Sequence, residues 1–271
     1  MLECVVNISE GRRGPVLDGI VAAAGVDLLD VHADLHHHRA VLTLVGEAAP
    51  RRVAEAAVGA IDLRRHHGAH PRLGAVDVVP FVALGEPAAG AEAAAERFCA
   101  WSAAVLQVPT FRYGGSHPDL PALRRRAFRD LRPTTGPGAP HPTAGATAVG
   151  ARPLLVAYNL WLAEPDLARA RAAARAVRGP AVRALGLVVG DRVQVSMNLL
   201  EPLSVGPADV HDTVAALVEV LAAELVGLVP AAVLRSTDEE RWEQLDLSPD
   251  RTIEARLSAR AVDPGAAGGG R

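Results

Sequence analysis

The 271-residue sequence is poor in cysteine and has no long apolar run. Cys4 and Cys99 are the only cysteines, which excludes a disulfide framework and a cysteine zinc motif. No run of about 18 apolar residues occurs, which argues against a membrane span. The N-terminus also lacks the pattern of a signal peptide. We therefore expect a cytoplasmic protein with no membrane partner.

The sequence also lacks an excess of positive charge and has few aromatic residues. Its formal net charge is −3, whereas nucleic-acid-binding proteins usually carry a basic excess, so we expect no nucleic-acid partner. Hydrophobic residues make up 49% of the chain and aromatic residues 3%. The composition thus predicts a sizeable core built from small aliphatic side chains.

Several motifs of common enzymes are missing. The sequence contains neither a phosphate-binding Gly-x-x-x-x-Gly-Lys-Ser/Thr motif nor a Gly-x-Ser-x-Gly motif, which disfavours nucleotide binding and serine hydrolysis. Ten histidines are present, but without an HExxH motif or Cys/His spacing pairs. Neighbouring histidines on a strand point to opposite faces, so the run His36–His38 cannot supply three ligands from a regular strand. We expect no metal, and a solvated loop is the competing interpretation of this run.

The first half of the chain alternates strand-like and helical segments. The strand-like segments are LECVVNIS, VDLLDVHAD, RAVLTLVG and GAVDVVPFVAL. The helical segments are PVLDGIVAAAG and PRRVAEAAVGAIDLRRH, and a further helix and strand follow in AEAAAERFCAWSAAVLQ and VPTFRYG. The order β-α-β-β-α-β is typical of ferredoxin-like sheets, with helices packed on a mainly antiparallel sheet.

A segment rich in Gly, Pro and Thr, residues 132–153, interrupts this order and is predicted to be an irregular loop. Loops of this length are usually functional or disordered. Beyond it we predict a strand (LLVAYNLWL), a helix (PDLARARAAARAVRG), a hairpin around Gly190 and Asp191, a helix (PADVHDTVAALVEVLAAEL) and a strand (VGLVP). The predicted fold is α/β, an α+β sandwich of two ferredoxin-like βαββαβ subdomains. The predicted domains are residues 1–150, 151–235 and a C-terminal extension with a flexible tail, 236–271.

The stretch RRHHGAHPRLGAVDVVPF, residues 64–81, holds the best candidate for acid–base chemistry. Pro71 restricts the backbone of His70 to extended geometry, so this side chain is held in place. A histidine with a near-neutral pKa can take up or release a proton at working pH. A loop histidine with only a backbone hydrogen bond is the alternative. We interpret His66 and His67 as the exposed end of the preceding helix.

The segment ECVVNISEGRR resembles the opening of the glutamate formimidoyltransferase family, which includes the N-terminal domain of formimidoyltransferase-cyclodeaminase. Further segments match that family in the same order, from about Leu2 to Leu234: RAVLTLVG, HPRLGAVDVVPF, GATAVGARPLLVAYNLWL, VQVSMNLLEP and ELVGLVP. We expect no cyclodeaminase domain, since the sequence ends soon after its second half.

The resemblance implies a function and a set of site residues. The family consists of dimers of two α/β subdomains with a cleft between them. It transfers a formimidoyl group from N-formimidoyl-L-glutamate to N5 of tetrahydrofolate in histidine breakdown. Its catalytic histidine falls on His70. Its folate-binding loop falls on Gly136, Pro137, Gly138, Ala139, Pro140, His141, Pro142, Thr143, Ala144 and Gly145.

Three further residues are candidates for binding a substrate. Arg39 and Arg72 could hold carboxylates of the donor or of the folate by bidentate contacts, although surface salt bridges are the alternative for both. His38 is the third candidate and stands where the family has asparagine. Two other departures are Ala69, where the family often has glutamate, and His32, where it has aspartate.

These departures leave the identity of the one-carbon donor open. Two other hypotheses remain beside the transferase. One is a folate-binding relative acting on a different one-carbon donor, and the other is a histidine-rich metal-binding protein.

Overall fold

A computed structural model of the chain describes residues 1–68, 71–85 and 87–262. These residues form two compact units, Met1–Pro153 and Leu154–Val262, each with its own sheet and apolar core. The second unit includes residues 236–262, which the sequence analysis assigned to a C-terminal extension.

The first unit contains a six-stranded sheet with helices packed on it. Its strands are β1 (Leu2–Ile8), β2 (Leu28–Asp34), β3 (Arg39–Val45), β4 (Val76–Ala83), β5 (Thr110–Tyr113) and β6 (Thr147–Ala151). Its helices are α1 (Gly14–Ala24), α2 (Ala48–Ala60), α3 (Ala88–Trp101) and α4 (Leu120–Arg126). The strand order is β2-β3-β1-β4-β6-β5.

Strands β1 to β4, with α1 and α2 between them, form the predicted βαββαβ motif. Neighbouring strands within this motif are antiparallel, whereas β6 runs parallel to both β4 and β5. Buried residues of α1, α2 and α3 pack on the sheet in one apolar cluster. A smaller cluster joins Leu123 of α4 to Val78 of β4 and Phe111 of β5.

The second unit repeats the motif with a four-stranded antiparallel sheet. Its strands are β7 (Val156–Leu162), β8 (Val182–Val189), β9 (Arg192–Leu199) and β10 (Val220–Val226), in the order β10-β7-β9-β8. Its helices are α5 (Leu167–Val177), α6 (Pro207–Ala215), α7 (Ala231–Arg235) and α8 (Ile253–Val262). The turn between β8 and β9 contains Gly190 and Asp191, as predicted. The predicted α/β fold class, with helices packed on mainly antiparallel sheets, is confirmed.

Three predictions of local structure are wrong: the irregular loop that contains β6, the long helix that contains β10, and the strand VGLVP, of which only Val226 lies in a strand, β10. Strand β6 lies inside the segment that we expected to be irregular. Its sequence, TAVGA, consists mostly of small residues and gives only a weak strand signal. A Cβ atom on Gly150 would lie 2.4 Å from the carbonyl oxygen of Tyr113, so the close pairing with β5 needs glycine there. Strand β10 replaces the C-terminal part of the helix predicted in PADVHDTVAALVEVLAAEL. Its alanine, leucine and glutamate residues favour helix, but pairing with β7 outweighs that preference.

The apolar cores consist mainly of small aliphatic side chains, as the composition predicts. A few aromatic rings join them in the first unit, where Phe98 contacts Phe81 and Trp101 at centroid distances of 6.1 and 5.4 Å. In the described residues, no helix combines the length and the apolar character needed to cross a membrane.

Candidate functional site

Three loop segments of the first unit meet beside the C-terminal end of β1. They comprise residues 9–13, residues 34–38 and the described part of residues 66–74. Two glycines permit the close approach. A Cβ atom on Gly11 would lie 2.5 Å from the carbonyl oxygen of Asp34, and one on Gly68 would lie 2.6 Å from that of His37. Residues far apart in sequence are therefore brought into one cluster.

Glu10 organises the first of these segments. Its side chain is completely buried, and Oε1 accepts hydrogen bonds from the backbone N–H groups of Gly11, Arg12 and Arg13 at 3.0, 2.9 and 2.9 Å. Oε2 pairs with the guanidinium of Arg13 at 2.6 Å. Burial alone would raise the pKa of Glu10, but these hydrogen bonds outweigh it and the pKa lies below its ordinary value. The buried carboxylate is therefore ionised and fixes the loop.

The histidine run forms a tight turn organised by Asp34. One carboxylate oxygen accepts the backbone N–H groups of His36 and His37 at 2.7 and 2.8 Å, and the other lies 2.8 Å from Nδ1 of His37. These bonds outweigh the effect of burial and hold the pKa of Asp34 well below its usual range. His36 is exposed and His38 is buried, with a φ of +53° at His38. The solvated-loop interpretation thus describes His36 and fails for His38.

His38 and His66 form a stacked pair. Their ring centroids are 4.0 Å apart with an angle of 27° between the planes. Nε2 of His66 lies 3.2 Å from the carbonyl oxygen of His38, so it must carry the proton and donate. Nδ1 of His38 accepts the backbone N–H of Gly11 at 3.2 Å. The two rings and the first loop are therefore locked together.

The interpretation of His66 as an exposed helix end is wrong. Helix α2 ends at Ala60, a 3₁₀ turn follows at Leu63–Arg65, and the next residue folds inward until His66 is only 6% exposed. Burial, helped by the nearby His38 and Arg72, lowers the pKa of His66 to about 4. Its imidazole is therefore neutral at neutral pH. His67 is exposed, as predicted.

The structure brings the three predicted substrate-binding residues, Arg39, Arg72 and His38, to one recess. The walls of this recess include Ser9, His38, Arg39, His66, Arg72 and Asp77. Burial lowers the pKa of Arg39 to about 10, against the opposing effect of Asp77, so its side chain remains a cation at neutral pH. Arg72 donates to the carbonyl oxygens of Gly68 and His66 at 3.3 and 3.1 Å. The recess is lined mainly by cationic and imidazole groups.

Asp77 is the carboxylate among the residues that line this recess. It is 1% exposed, and one oxygen accepts the backbone N–H of Leu73 at 2.6 Å. The other oxygen forms an ion pair with Arg124 on α4. Arg124 of helix α4 therefore contacts a residue of the site. The arginine-rich sequence of this helix does not predict that contact.

The predicted folate loop approaches the same region through its C-terminal end. The N–H of Ala75 donates to the carbonyl oxygen of Ala144 at 2.9 Å. The N–H of Ala146 donates to the carbonyl oxygen of Leu73 at 3.1 Å. Gly145 has a φ of +68°, and a Cβ atom there would lie 2.4 Å from the carbonyl oxygen of Leu73. This end of the loop thus requires glycine and is tied to the segment before β4.

The remainder of that loop turns around His141. The imidazole Nδ1 of His141 accepts the backbone N–H groups of Thr143 and Ala144 at 3.3 and 3.0 Å. Residues 136–140 are exposed to solvent. Gly136 begins the loop with a φ of +86°. The loop therefore has an exposed part, residues 136–140, and a base at residues 144–146 that is hydrogen-bonded to the segment before β4.

The predicted catalytic residue, His70, lies outside the described residues, as does Ala69. Its role therefore stays a prediction. His32, the other altered family position, lies in β2 and is half-buried. Within the described parts of the chain, no three His, Cys, Asp or Glu side chains converge as a metal site would require. The absence of a metal stays a prediction.

Three residues of this cluster were missed by sequence reasoning: Glu10, Asp34 and His66. Asp34 has a local signal in the sequence. An aspartate at the start of a turn often accepts hydrogen bonds from the backbone N–H groups two and three residues after it. Glu10 and His66 gave no local signal. Their importance comes from contacts with distant segments.

Comparison with known proteins gives consistent matches along the chain. The family model described as "Formiminotransferase domain, N-terminal subdomain" matches residues 1–152. The chain is 35% identical over 275 residues to a glutamate formimidoyltransferase of Streptococcus pyogenes serotype M1, a match that covers 86% of this chain and 90% of that protein. A glutamate formimidoyltransferase of Thermoplasma acidophilum is 31% identical over 272 residues, covering 86% and 89%.

A longer relative matches over the same region. The formimidoyltransferase-cyclodeaminase of Sus scrofa is 34% identical over 281 residues, a match that covers 86% of this chain and 51% of that protein. The chain thus spans most of the bacterial and archaeal relatives and about half of the pig protein.

Proposed function

The chain belongs to the formiminotransferase family, and we propose from this that it is a glutamate formimidoyltransferase. It moves a formimidoyl group from N-formimidoyl-L-glutamate to N5 of tetrahydrofolate, in histidine degradation. The observation that carries the proposal is the match to the streptococcal glutamate formimidoyltransferase, which spans most of both chains. Tetrahydrofolate is the co-substrate, and no metal takes part.

The chemistry is an exchange of one carbon–nitrogen bond for another. N5 of the folate attacks the amidine carbon of the donor and forms a tetrahedral adduct. Collapse of the adduct breaks the bond to the glutamate nitrogen. N5 loses one proton and the glutamate nitrogen gains one, so the protons balance. Protonation of the amidine makes its carbon electrophilic, so the reaction has no need of a metal.

His70 is the proposed proton carrier. A single imidazole can accept the proton from N5 and then deliver it to the departing glutamate nitrogen. Such general acid–base assistance contributes about 10²–10⁴-fold to rates. Support comes from the family resemblance of the His-Pro-Arg block and from the polar recess formed by the residues on either side of it.

Arg39 and Arg72 are the proposed partners of the donor carboxylates, with His38 beside them. A guanidinium can bind a carboxylate through two parallel hydrogen bonds, which fixes the donor as well as attracting it. The cationic lining of the recess supports this assignment. Fixing both substrates in one site also accounts for much of the rate gain expected of such a transferase.

Residues 136–145 are the proposed folate-binding loop. Exposed glycines let the backbone approach the flat pteridine ring closely. The base of the loop is bonded to Leu73 and Ala75, next to the recess, and this supports an acceptor site adjoining the donor site. The protein is further proposed to act in the cytoplasm as a homodimer, without nucleic-acid or membrane partners.

An assay of the purified protein tests the proposed function. N-formimidoyl-L-glutamate and tetrahydrofolate are mixed with the protein while the absorbance of the folate product is followed. We expect turnover that survives removal of metals by a chelator. N-formyl-L-glutamate serves as the matched donor control. Folate binding without turnover of the formimidoyl donor would contradict the proposal and favour a relative that uses another one-carbon donor.

A further inference from the structure

His66 carries a buried nitrogen that nothing in the described residues satisfies. Its Nε2–H donates to the carbonyl oxygen of His38 at 3.2 Å, which leaves Nδ1 as a lone-pair acceptor. Within the described chain, no hydrogen-bond donor reaches that Nδ1 atom. A buried acceptor without a donor is energetically unfavourable, and protein structures contain few of them.

The ring that carries this nitrogen is held rigidly. Stacking on His38 fixes one face, and the hydrogen bond at Nε2 fixes the rotation of the ring. His38 is itself anchored by the N–H of Gly11. The same imidazole forms part of the wall of the recess that also contains Arg39 and Arg72. The imidazole that carries the unsatisfied acceptor is therefore fixed in position, and it belongs to the lining of the candidate site.

The acceptor is available throughout the working pH range. The imidazole of His38 and the guanidinium of Arg72 disfavour protonation of His66, whereas the backbone carbonyl of His38 and the carboxylate of Glu10 favour it. Burial is the largest influence, and together these effects lower the pKa of His66 to about 4. The ring is thus neutral at neutral pH, and Nδ1 keeps its lone pair.

The donor of the proposed reaction has the complementary chemistry. Its formimidoyl end carries N–H groups and needs a neutral or negative acceptor, whereas its carboxylates need cations. The recess offers both, because His66 lines it together with Arg39 and Arg72. The described side chains on the recess wall include one carboxylate, Asp77, which is already engaged with Leu73 and Arg124.

We propose that Nδ1 of His66 accepts a hydrogen bond from an amidine N–H of the formimidoyl donor and thereby orients the group that is transferred. The inference rests on the proposed function and adds a donor-binding residue to it. The proton-carrying role remains with His70. His66 acts as a fixed acceptor and does not exchange its proton during the reaction.

Two substitutions of His66 distinguish the role of the donor Nε2–H from that of the acceptor Nδ1. In His66→Gln, the side-chain N–H can still reach the carbonyl oxygen of His38, but the acceptor at the Nδ1 position is lost. In His66→Asn, an oxygen can take the Nδ1 position, but the donor to His38 is lost. We expect His66→Gln to lower kcat/KM for formimidoyl-glutamate by about 10- to 100-fold, the effect of one hydrogen bond to a charged group. We expect His66→Asn to be less impaired.

The controls distinguish donor binding from folding and from folate binding. His67→Gln, at the exposed neighbouring position, should leave kcat/KM unchanged. Tetrahydrofolate affinity and the melting temperature of His66→Gln should stay close to those of the wild type. Equal losses toward both substrates would overturn the inference, as would a His66→Asn variant more impaired than His66→Gln. Absence of turnover in the wild type would instead reject the proposed function.

A measurement on the unmodified protein covers the case in which His66→Gln fails to fold. The protein is labelled with ¹⁵N at histidine, and its imidazole nitrogens are followed by NMR as formimidoyl-glutamate is added without folate. An unprotonated buried Nδ1 should shift upfield as it gains a hydrogen-bond donor. Saturation with the donor and no change at this nitrogen would overturn the inference.

Discussion

His70 is the residue on which the proposed chemistry depends most. We expect His70→Ala to lower kcat by about 10²–10⁴-fold, because general acid–base assistance acts on the transition state. Ground-state binding of tetrahydrofolate should change little. Steady-state kinetics and a folate titration measure the two quantities. A His67→Ala variant, altered at an exposed histidine, is the control. Retention of more than about a tenth of the wild-type kcat in His70→Ala would show that the assignment is wrong.

His66 gives the protein a pH-dependent stability. Its pKa is about 4 in the folded protein, against an ordinary value of 6.5, so between these values the unfolded chain binds a proton that the folded chain does not. The free energy of unfolding should therefore fall as the pH is lowered from 6.5 to 4. Above pH 6.5 the contribution of His66 to the free energy of unfolding is fully present.

Denaturant unfolding at a series of pH values measures this effect. We expect the slope between pH 6.5 and 4 to be smaller in His66→Gln than in the wild type and unchanged in His67→Gln. Glu10 and Asp34, whose pKa values are lowered from 4.5 and 3.8, add further losses of stability at lower pH. Identical slopes in wild type and His66→Gln would refute the neutral, buried state of His66.

Among the structural elements, the predicted folate loop offers a matched pair of glycines. Gly145 has a positive φ and no room for a Cβ atom, whereas a Cβ atom on Gly138 would meet nothing within 4 Å. We expect Gly145→Ala to lower the free energy of unfolding by about 1–3 kcal/mol, the usual cost of a strained backbone position. It should also weaken tetrahydrofolate binding. Gly138→Ala should be nearly neutral for stability.

Thermal unfolding and a folate titration of both variants measure these effects. If the two alanine variants prove equally stable, the backbone geometry at Gly145 is not the one described. If Gly145→Ala is destabilised but binds folate normally, the base of this loop has no part in binding the acceptor.

Some helices and strands can be predicted from the sequence, and others cannot. The β8–β9 hairpin and the helices α1 and α5 follow from turn residues and helical spacing. Strand β10 was misread because ALVEVLAAEL has the composition of a helix, and only its pairing with β7 makes it a strand. Strand β6 was missed because glycine and alanine carry little strand propensity, while its position between β4 and β5 depends on distant segments.

The residues of the candidate site can also be predicted only in part from the sequence. Arg39, Arg72 and His38 are substrate-binding candidates from the sequence, and the structure brings all three to one recess. The burial of Glu10 and His66 could not be predicted, because it depends on contacts between segments 27 and 28 residues apart in sequence. Local patterns do not carry information about such contacts.

At the scale of the whole molecule, we expect a homodimer. The family resemblance implies one, and exposed apolar side chains lie on the edge strands of the second sheet: Leu185 and Val188 on β8, and Leu221 on β10. Exposed strand edges of this kind are suited to pairing with another chain. Sedimentation equilibrium should give twice the mass of one chain.

Two substitutions locate the dimer contact. Leu185→Lys on β8 should weaken the association of the dimer, whereas Leu203→Lys, at an exposed residue outside the strands, should not. A wild-type protein that sediments as a monomer at micromolar concentration would refute the dimer. A dimer unaffected by Leu185→Lys would place the contact away from β8.

The hydrogen bonds between Leu73, Ala75 and the base of the 136–145 loop have a thermodynamic consequence. Leu73 directly follows Arg72, so the proposed acceptor and donor sites share a segment of backbone. A ligand that stiffens this segment at one site lowers the entropic cost of ordering it at the other. The two substrates should then bind synergistically, and linkage requires the factor to be the same in both directions. Free tetrahydrofolate would act as a positive effector of donor binding before any bond is made.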